Sequence, residues 1–179
     1  RIAKVMGCEP GDMTASHQTH TTNIRRVTRE DRGKGIVRER DYEEIDGLIT
    51  NEPGIVLVTY FADCVPLYFV DPVHGAIGLA HSGWRGTAGR MGECMVHAME
   101  QNFAARAEDL YAAIGPSICR DCYEVSGEVA LQFEDMPGSG VVTPGKKPGK
   151  YQLDLWLANR LILEQAGIRR DHIAVTDIC

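Results

Sequence analysis

Two apolar runs joined by a short turn constrain the fold of this 179-residue chain more than any other feature. The runs occupy residues 65–70 and 75–80, and the connection at 71–74 contains the turn formers Asp and Pro. This pattern predicts two antiparallel strands joined as a hairpin. Cys64 directly precedes the first run and His81 directly follows the second. Both side chains are therefore expected at the open end of the hairpin.

The predicted hairpin has a register in which Val70 pairs with Gly75 and Cys64 lies opposite His81. Directly opposed residues have Cβ atoms roughly 4.5–5.5 Å apart, which is close enough to share one metal ion. A slip of the register by one residue stays open, so the pairing supports a shared site without proving one.

A second histidine, His20, closes the segment at 17–20, and nothing local places it beside Cys64 and His81. Two imidazoles and one thiolate would form a three-ligand zinc set with an open fourth position, which is typical of catalytic zinc. The alternatives are a small buried cysteine and ordinary histidines. Cys64 as a nucleophile with His81 as its base would instead form a cysteine hydrolase that needs no metal. A non-catalytic binding module leaves the histidine and cysteine set unexplained.

Several motifs closely resemble the laccase-domain family of bacterial proteins, also called polyphenol oxidases or purine nucleoside phosphorylases. They read ADCVPL at 62–67, HSGWRGT at 81–87 and IGPSICRDCYEV at 114–125. The segment at 18–20 is similar to the family's Q-x-H element, and IDGLIT at 45–50 is similar to its D-x-L-x-T element. The resemblance covers nearly the whole chain. It implies that His20, Cys64 and His81 are the metal ligands and that purine nucleoside chemistry is the leading activity.

The implied substrates are purine nucleosides, namely adenosine, inosine and methylthioadenosine, together with phosphate. Zinc can activate water for deamination at purine C6. For phosphorolysis, the glycine-rich turn formed by Gly83, Arg85 and Gly86 is a candidate phosphate site, because such a turn presents free N–H groups and arginine adds a planar fork. The alternative is a tight turn with a surface arginine. Asp63 is a candidate for moving protons or orienting a ligand, or it has a purely structural role.

Copper is the alternative cofactor, because a set of two histidines and one cysteine also suits copper. It would make the protein a laccase-like oxidase of phenolic substrates. However, the six histidines include no His-x-His element, which an ordinary multicopper oxidase uses to hold its copper cluster. We therefore expect oxidase activity to be secondary.

Composition limits the partners. The net charge is −6 without a prominent basic block, so we expect no nucleic-acid partner. No apolar run reaches the roughly 18–20 residues that span a bilayer, so no membrane partner is expected either. Six cysteines without a visible secretory signal predict free thiols in the cytoplasm.

Cys119 and Cys122 form a lone C-x-x-C pair. Half of a zinc knuckle needs a second pair, and the sequence has none. We therefore expect a structural role for both cysteines, with no second metal site and no redox-active pair.

The predicted fold class is α+β, as one layered domain over residues 1–179 with a mixed β core flanked by helices. Family members usually extend further at both ends, so the resemblance implies a domain trimmed at one or both ends. One helix is predicted to begin near Thr87 and another to follow a cap at Asp154. The segment 136–150, rich in proline and glycine, is predicted to be a loop, and 173–178 a final strand.

Overall fold

The computed structural model describes residues 1–136 and 140–179. Strands and helices mix along the chain without strict alternation. The strands are β1 (Met13–Ala15), β2 (Ile24–Arg26), β3 (Gly47–Thr50), β4 (Val56–Val58), β5 (Val65–Asp71), β6 (Ala76–Ser82), β7 (Tyr111–Ile114), β8 (Glu124–Ser126), β9 (Val142–Pro144), β10 (Lys150–Leu153) and β11 (Ile173–Val175). The helices are α1 (Ile2–Met6), α2 (Trp84–Ala88), α3 (Met91–Phe103), α4 (Gly127–Leu131) and α5 (Leu155–Gln165).

The central feature is a six-stranded mixed sheet in the order β11-β7-β5-β6-β3-β2. The four inner strands β7, β5, β6 and β3 pair antiparallel with one another, whereas the edge strands β11 and β2 pair in parallel with β7 and β3. A parallel pair β1-β4 and an antiparallel sheet β8-β10-β9 are separate from it. The predicted α+β class, with a mixed sheet flanked by helices, is confirmed.

The predicted hairpin exists, but its predicted register is wrong by two residues. Pro66, rather than Cys64, pairs with His81, and Asp71 pairs with Ala76. The turn keeps four residues but lies at 72–75 rather than 71–74, because Asp71 extends β5 and its carboxylate accepts hydrogen bonds from two backbone N–H groups of the turn, at 2.9 and 3.2 Å. A shift of two residues leaves every side chain on its expected face. Cys64 consequently lies just beyond the last pair, at the same end as His81.

Helix α3 packs on the sheet through a row of methionines. Met91, Met95 and Met99 are fully buried, as their helical spacing predicts. The sheet makes room for them with glycines: a Cβ on Gly47 or Gly78 would lie 2.8 or 2.7 Å from Met95. This close approach brings the helix over β3 and β6, the strands whose ends carry the site.

Two other predicted elements have different boundaries. The helix predicted from Thr87 is two helices, since Gly89 and Arg90 interrupt it and Arg90 has a φ of 60°. Thr87 lies inside α2, where its buried hydroxyl hydrogen-bonds to Ser82 at 3.0 Å. The predicted strand 173–178 ends at Val175.

The Asp154 cap is confirmed, because its carboxylate accepts a hydrogen bond from the N–H of Leu157 at 2.9 Å. The predicted loop 136–150 instead contains β9 and the start of β10, and residues 137–139 of that loop lie outside the described residues. Across 1–136 and 140–179, no helix is long and apolar enough to span a membrane.

Candidate metal centre

Three side chains that are far apart in sequence meet at the open end of the central hairpin. One donor atom each from His20, Cys64 and His81 lies within 4.8 Å of the other two. His81 is buried at the end of β6, Cys64 is half-buried before β5, and His20 is exposed in the loop between β1 and β2. The rings of His20 and His81 meet edge to face, with centroids 5.0 Å apart. The three proposed ligands are therefore brought together as a group.

A buried carboxylate orients His81. The Oδ1 atom of Asp46 lies 2.8 Å from Nδ1 of His81, which leaves Nε2 of the ring as the atom that can bind a metal. Burial disfavours the charged forms of both groups, but hydrogen bonds outweigh it. Hydrogen bonds from His81, Thr19 and Thr21 lower the pKa of Asp46 to about 2. The hydrogen bond to Asp46, with a hydrogen bond and attraction to Cys64, raises the pKa of His81 to about 9.

The same carboxylate holds the His20 loop. Asp46 accepts hydrogen bonds from the backbone N–H groups of Thr19, His20 and Thr21, at 3.0, 3.1 and 3.0 Å. His20 has a φ of 66°, in the left-handed region that histidine adopts uncommonly. Three N–H donors converging on one carboxylate stabilise this backbone. Asp46 therefore fixes two of the three donors, one through its ring and one through its main chain.

Gln18 links the His20 loop to the segment before Cys64. Its side-chain amide donates to the carbonyl of Tyr60 at 2.6 Å and accepts from the N–H of Tyr60 at 2.9 Å. The two hydrogen bonds pair the Gln18 amide with the backbone of Tyr60, much as two strands pair in a sheet. In the Q-x-H element, Gln18 thus positions the loop and His20 provides the donor atom.

Gly83 provides the space in which the donors meet. A Cβ at this position would lie 2.7 Å from Sγ of Cys64 and 3.3 Å from Cδ2 of His20. Gly86 is also buried, against the backbone carbonyl of His81. Both glycines therefore have a packing role, and their predicted role in binding substrate stays a prediction.

A phenol lies within electrostatic range of Cys64 and of two charged side chains. Arg85 is exposed, and its guanidinium lies over the ring of Trp84, 4.3 Å from the centroid. Burial raises the pKa of the Tyr123 phenol, and the charges of Cys64, Arg85 and Asp63 also act on it. Tyr123 therefore lies within electrostatic range of Cys64, and its phenol remains protonated at neutral pH. The Asp63 side chain is exposed.

Sequence reasoning missed Asp46 and Tyr123 as parts of this site. Both lie within the family-like motifs at 45–50 and 114–125. Asp46 had a signal that was available, because an aspartate next to an apolar strand segment is an unusual choice unless it is buried with partners.

A second donor group forms where the sequence reasoning expected none. The sulfur atoms of Cys119, Cys122 and Cys179 lie within 4.8 Å of one another. The expectation of no second metal site assumed that the C-x-x-C pair has no further thiol beside it, and this premise is wrong. A hydrogen bond from Cys179 lowers the pKa of Cys119, and the hydrogen bond to Cys119 raises the pKa of Cys122 to about 11.

The first group suits a metal ion. Two imidazoles and one thiol are ligands that zinc and copper both accept. The orientation of His81 by a buried carboxylate is the outer support commonly found behind a metal-binding histidine. A mixed sheet that carries such a group at the end of its central hairpin is the arrangement of a candidate metalloenzyme.

The chain belongs to the family described as multi-copper polyphenol oxidoreductase laccase, whose model matches residues 1–179. It is 38% identical over 183 residues to purine nucleoside phosphorylase YlmD of Bacillus subtilis, covering 99% of this chain and 65% of that protein. It is 34% identical over 181 residues to adenosine deaminase RL5 of an unknown prokaryotic organism, covering 99% of this chain and 69% of that protein.

Among solved structures, Bacillus licheniformis hypothetical protein YfiH has the same fold. It matches with a TM-score of 0.93 and 35% identity, covering 99% of this chain and 68% of that chain. The chain thus spans about two thirds of the length of these relatives. The family confirms the resemblance seen in the motifs, and both the family and the donor group indicate metal binding.

Proposed function

We propose that the protein is a metal-dependent purine nucleoside enzyme that cleaves adenosine, inosine and methylthioadenosine with phosphate and also deaminates adenosine. The observation that carries this proposal is the His20, Cys64 and His81 group held by Asp46. Relatives named purine nucleoside phosphorylase and adenosine deaminase, which cover nearly the whole chain, supply the substrate class.

The three donors would hold zinc, which when bound supplies a Lewis acid for activating water or polarising a substrate oxygen. The protein's own groups then divide the remaining work. Asp46 keeps the ring of His81 fixed and its Nδ1 occupied. The exposed Arg85 would bind phosphate through its planar guanidinium.

Proton transfer would fall to Tyr123 and Asp63. The raised pKa of Tyr123 keeps its phenol protonated, so it can donate a hydrogen bond to a substrate heteroatom. The exposed carboxylate of Asp63 can accept a proton, either from attacking water in deamination or from phosphate in phosphorolysis. Phosphorolysis yields free base and ribose 1-phosphate, whereas deamination yields ammonia, so one site with two nucleophiles gives separable products.

The test measures base release and ammonia release from adenosine and inosine, with and without phosphate, on protein loaded with zinc or with copper. We expect base release to require phosphate and ammonia release not to require it. Both should disappear in Cys64→Ala and persist in Cys94→Ala, which alters a half-buried thiol on α3. Nucleoside turnover that is equal in Cys64→Ala would contradict the proposal.

The second candidate is a copper-dependent polyphenol oxidase. The description of the family model favours it, and a donor group of two histidines and one cysteine suits copper. Rapid phenol oxidation by the copper-loaded protein, with no nucleoside turnover under any condition, would replace the first proposal by this one. A cysteine hydrolase predicts activity that survives complete metal removal, and metal analysis separates it from both.

We place this activity in the cytoplasm. All six cysteines are free, which suits a reducing compartment. The partners are small molecules, namely a purine nucleoside with phosphate, or a phenol for the second candidate.

A further inference from the structure

The three thiols of Cys119, Cys122 and Cys179 form a group that the proposed nucleoside chemistry does not use. Their sulfur atoms all lie within 4.8 Å of one another. Cys119 is half-buried and the other two are exposed, so the group is open to solvent and to ions. Three thiols from two separate segments meeting at one point is a stronger feature than the C-x-x-C spacing alone.

Backbone hydrogen bonds bring the two segments together. After β11, the N–H of Thr176 donates to the carbonyl of Ile114, and the N–H of Ser117 donates to the carbonyl of Ile178, both at 3.0 Å. The chain beyond β11 therefore continues the parallel pairing with the chain beyond β7. Cys179 arrives beside the backbone N–H of Cys119, which lies 3.4 Å from its sulfur.

A short turn brings Cys122 to the same point. Residues Arg120–Cys122 form a 3-10 helix, closed by the N–H of Cys122 donating to the carbonyl of Cys119 at 3.1 Å. The side-chain amide of Gln152, on β10, donates to the carbonyl of Arg120 at 2.8 Å and braces this turn. The positions of all three thiols are thus set by main-chain contacts before any ligand binds.

We propose that Cys119, Cys122 and Cys179 bind a second metal ion, zinc, as a three-thiolate site separate from the His20, Cys64 and His81 centre. Zinc–sulfur bonds of about 2.3 Å in a tetrahedral site place the sulfurs about 3.8 Å apart. The observed group therefore needs a contraction of at most about 1 Å, which exposed side chains allow. Each thiol releases its proton to solvent as it binds. The bound ion joins the end of β11 to the turn before β8.

Charge around the thiols is consistent with a cation. Asp121, Asp154 and Asp177 line a cavity of about 380 Å³ that Cys119 and Cys179 border. Arg120 also borders this cavity and pairs with Asp121 at 3.2 Å, which offsets one of the carboxylates. Among the groups that face the cavity, acidic side chains remain in excess.

The experiment counts zinc per chain in reduced protein that has been equilibrated with zinc and then desalted. We expect two zinc ions in the wild type and one in the double variant with Cys119→Ser and Cys122→Ser. Cys64→Ala should also retain one. The matched control, with Cys8→Ser and Cys94→Ser, removes two thiols that belong to neither group and should retain two zinc ions.

Cobalt gives a second measurement that does not depend on activity. In Cys64→Ala, bound cobalt should show thiolate-to-metal charge-transfer absorption, and this absorption should vanish when Cys179→Ser is added. One zinc per wild-type chain, lost in Cys64→Ala, would overturn the inference. Two zinc ions in the double serine variant would do so as well, and so would a disulfide within the thiol group in reduced, zinc-treated protein.

Discussion

The two donor groups of this protein are built in different ways. The His20, Cys64 and His81 centre is organised around the buried carboxylate of Asp46, which is in contact with one ring and with the backbone of the other histidine. The thiol group, formed by Cys119, Cys122 and Cys179, contains no imidazole, and main-chain hydrogen bonds with a brace from the Gln152 amide bring it together.

This difference bears on what each group can do. A group of two imidazoles and one thiol with a buried supporting carboxylate suits a metal that takes part in the proposed reaction. A group of thiols on the surface, with no comparable support, suits a metal that joins two segments. Comparing variants in the two groups therefore tests the assignment of each.

The largest effect is expected from Cys64→Ala. Removing one of three ligands should abolish most metal binding at the first centre and most activity, because two histidines hold zinc poorly. Metal analysis and turnover of adenosine measure this. Cys94→Ala is the control, since its thiol is also half-buried but lies on α3. If Cys64→Ala kept the affinity of the wild type at this centre, the ligand assignment would be wrong.

Asp46→Asn tests whether the buried carboxylate beside His81 supports metal binding. Loss of the charged partner of His81 should weaken metal binding at the first centre by roughly ten- to a hundredfold. Competition with a chelator measures this affinity. Asp71→Asn is a closely matched control, because Asp71 is also buried and also bonds a histidine, His74, at 2.7 Å.

The control separates a lost support from lost stability. Both variants should lower the free energy of unfolding, whereas only Asp46→Asn should change metal affinity. Equal metal affinity in the two variants would show that Asp46 does not support the centre.

Arg85→Ala should affect one reaction more than the other. Losing a charge-assisted contact to phosphate costs on the order of 1.5–3 kcal/mol, or roughly ten- to a hundredfold. We expect this loss in phosphate-dependent base release, with a smaller effect on deamination and an unchanged metal content. Arg106→Ala, at an exposed ion pair beyond α3, is the control. Equal losses in both reactions would count against Arg85 as a phosphate ligand.

The sequence predicted the central hairpin, its neighbouring helix stripe and the end of the sheet where the donors lie. It failed on the register, because Asp71 belongs to the strand and its carboxylate accepts two backbone hydrogen bonds from the turn, which moves the four-residue turn to 72–75. A shift of two residues keeps each side chain on its expected face of the sheet, so Cys64 and His81 still lie at the same end of the hairpin. Local sequence patterns predict which face of a strand each side chain occupies, but they do not predict how a side chain changes the position of a turn.

Long-range contacts explain the other misses. Asp46 reaches the His20 loop and His81 from 26 and 35 residues away, and Cys179 reaches Cys119 from 60 residues away. No local period connects such positions, so only the resemblance placed His20 in the first centre. No resemblance pointed to the second group, and the spacing of the C-x-x-C pair does not indicate that the thiol of Cys179, beyond β11, lies beside it.

The smallest effect is a pH dependence that the buried pair of the first centre should produce in metal-free protein. The pKa of His81 is raised to about 9, so its contribution to stability is full below its usual value of 6.5 and is lost as the pH rises through 9. The pKa of Asp46 is lowered to about 2, so its contribution is full above 3.8 and is lost as the pH falls towards 2. The pair should therefore stabilise the protein most between about pH 4 and 6.5, by on the order of 2 kcal/mol.

Urea unfolding of metal-free protein at pH 6 and pH 9 measures this contribution. Stability should fall between the two values in the wild type and in the double variant with Cys119→Ser and Cys122→Ser, but much less in Asp46→Asn. Zinc should reverse the trend, because it competes with the proton for the ring of His81 and binds better as the pH rises. A fall of the same size in Asp46→Asn would mean that groups other than this buried pair set the pH dependence.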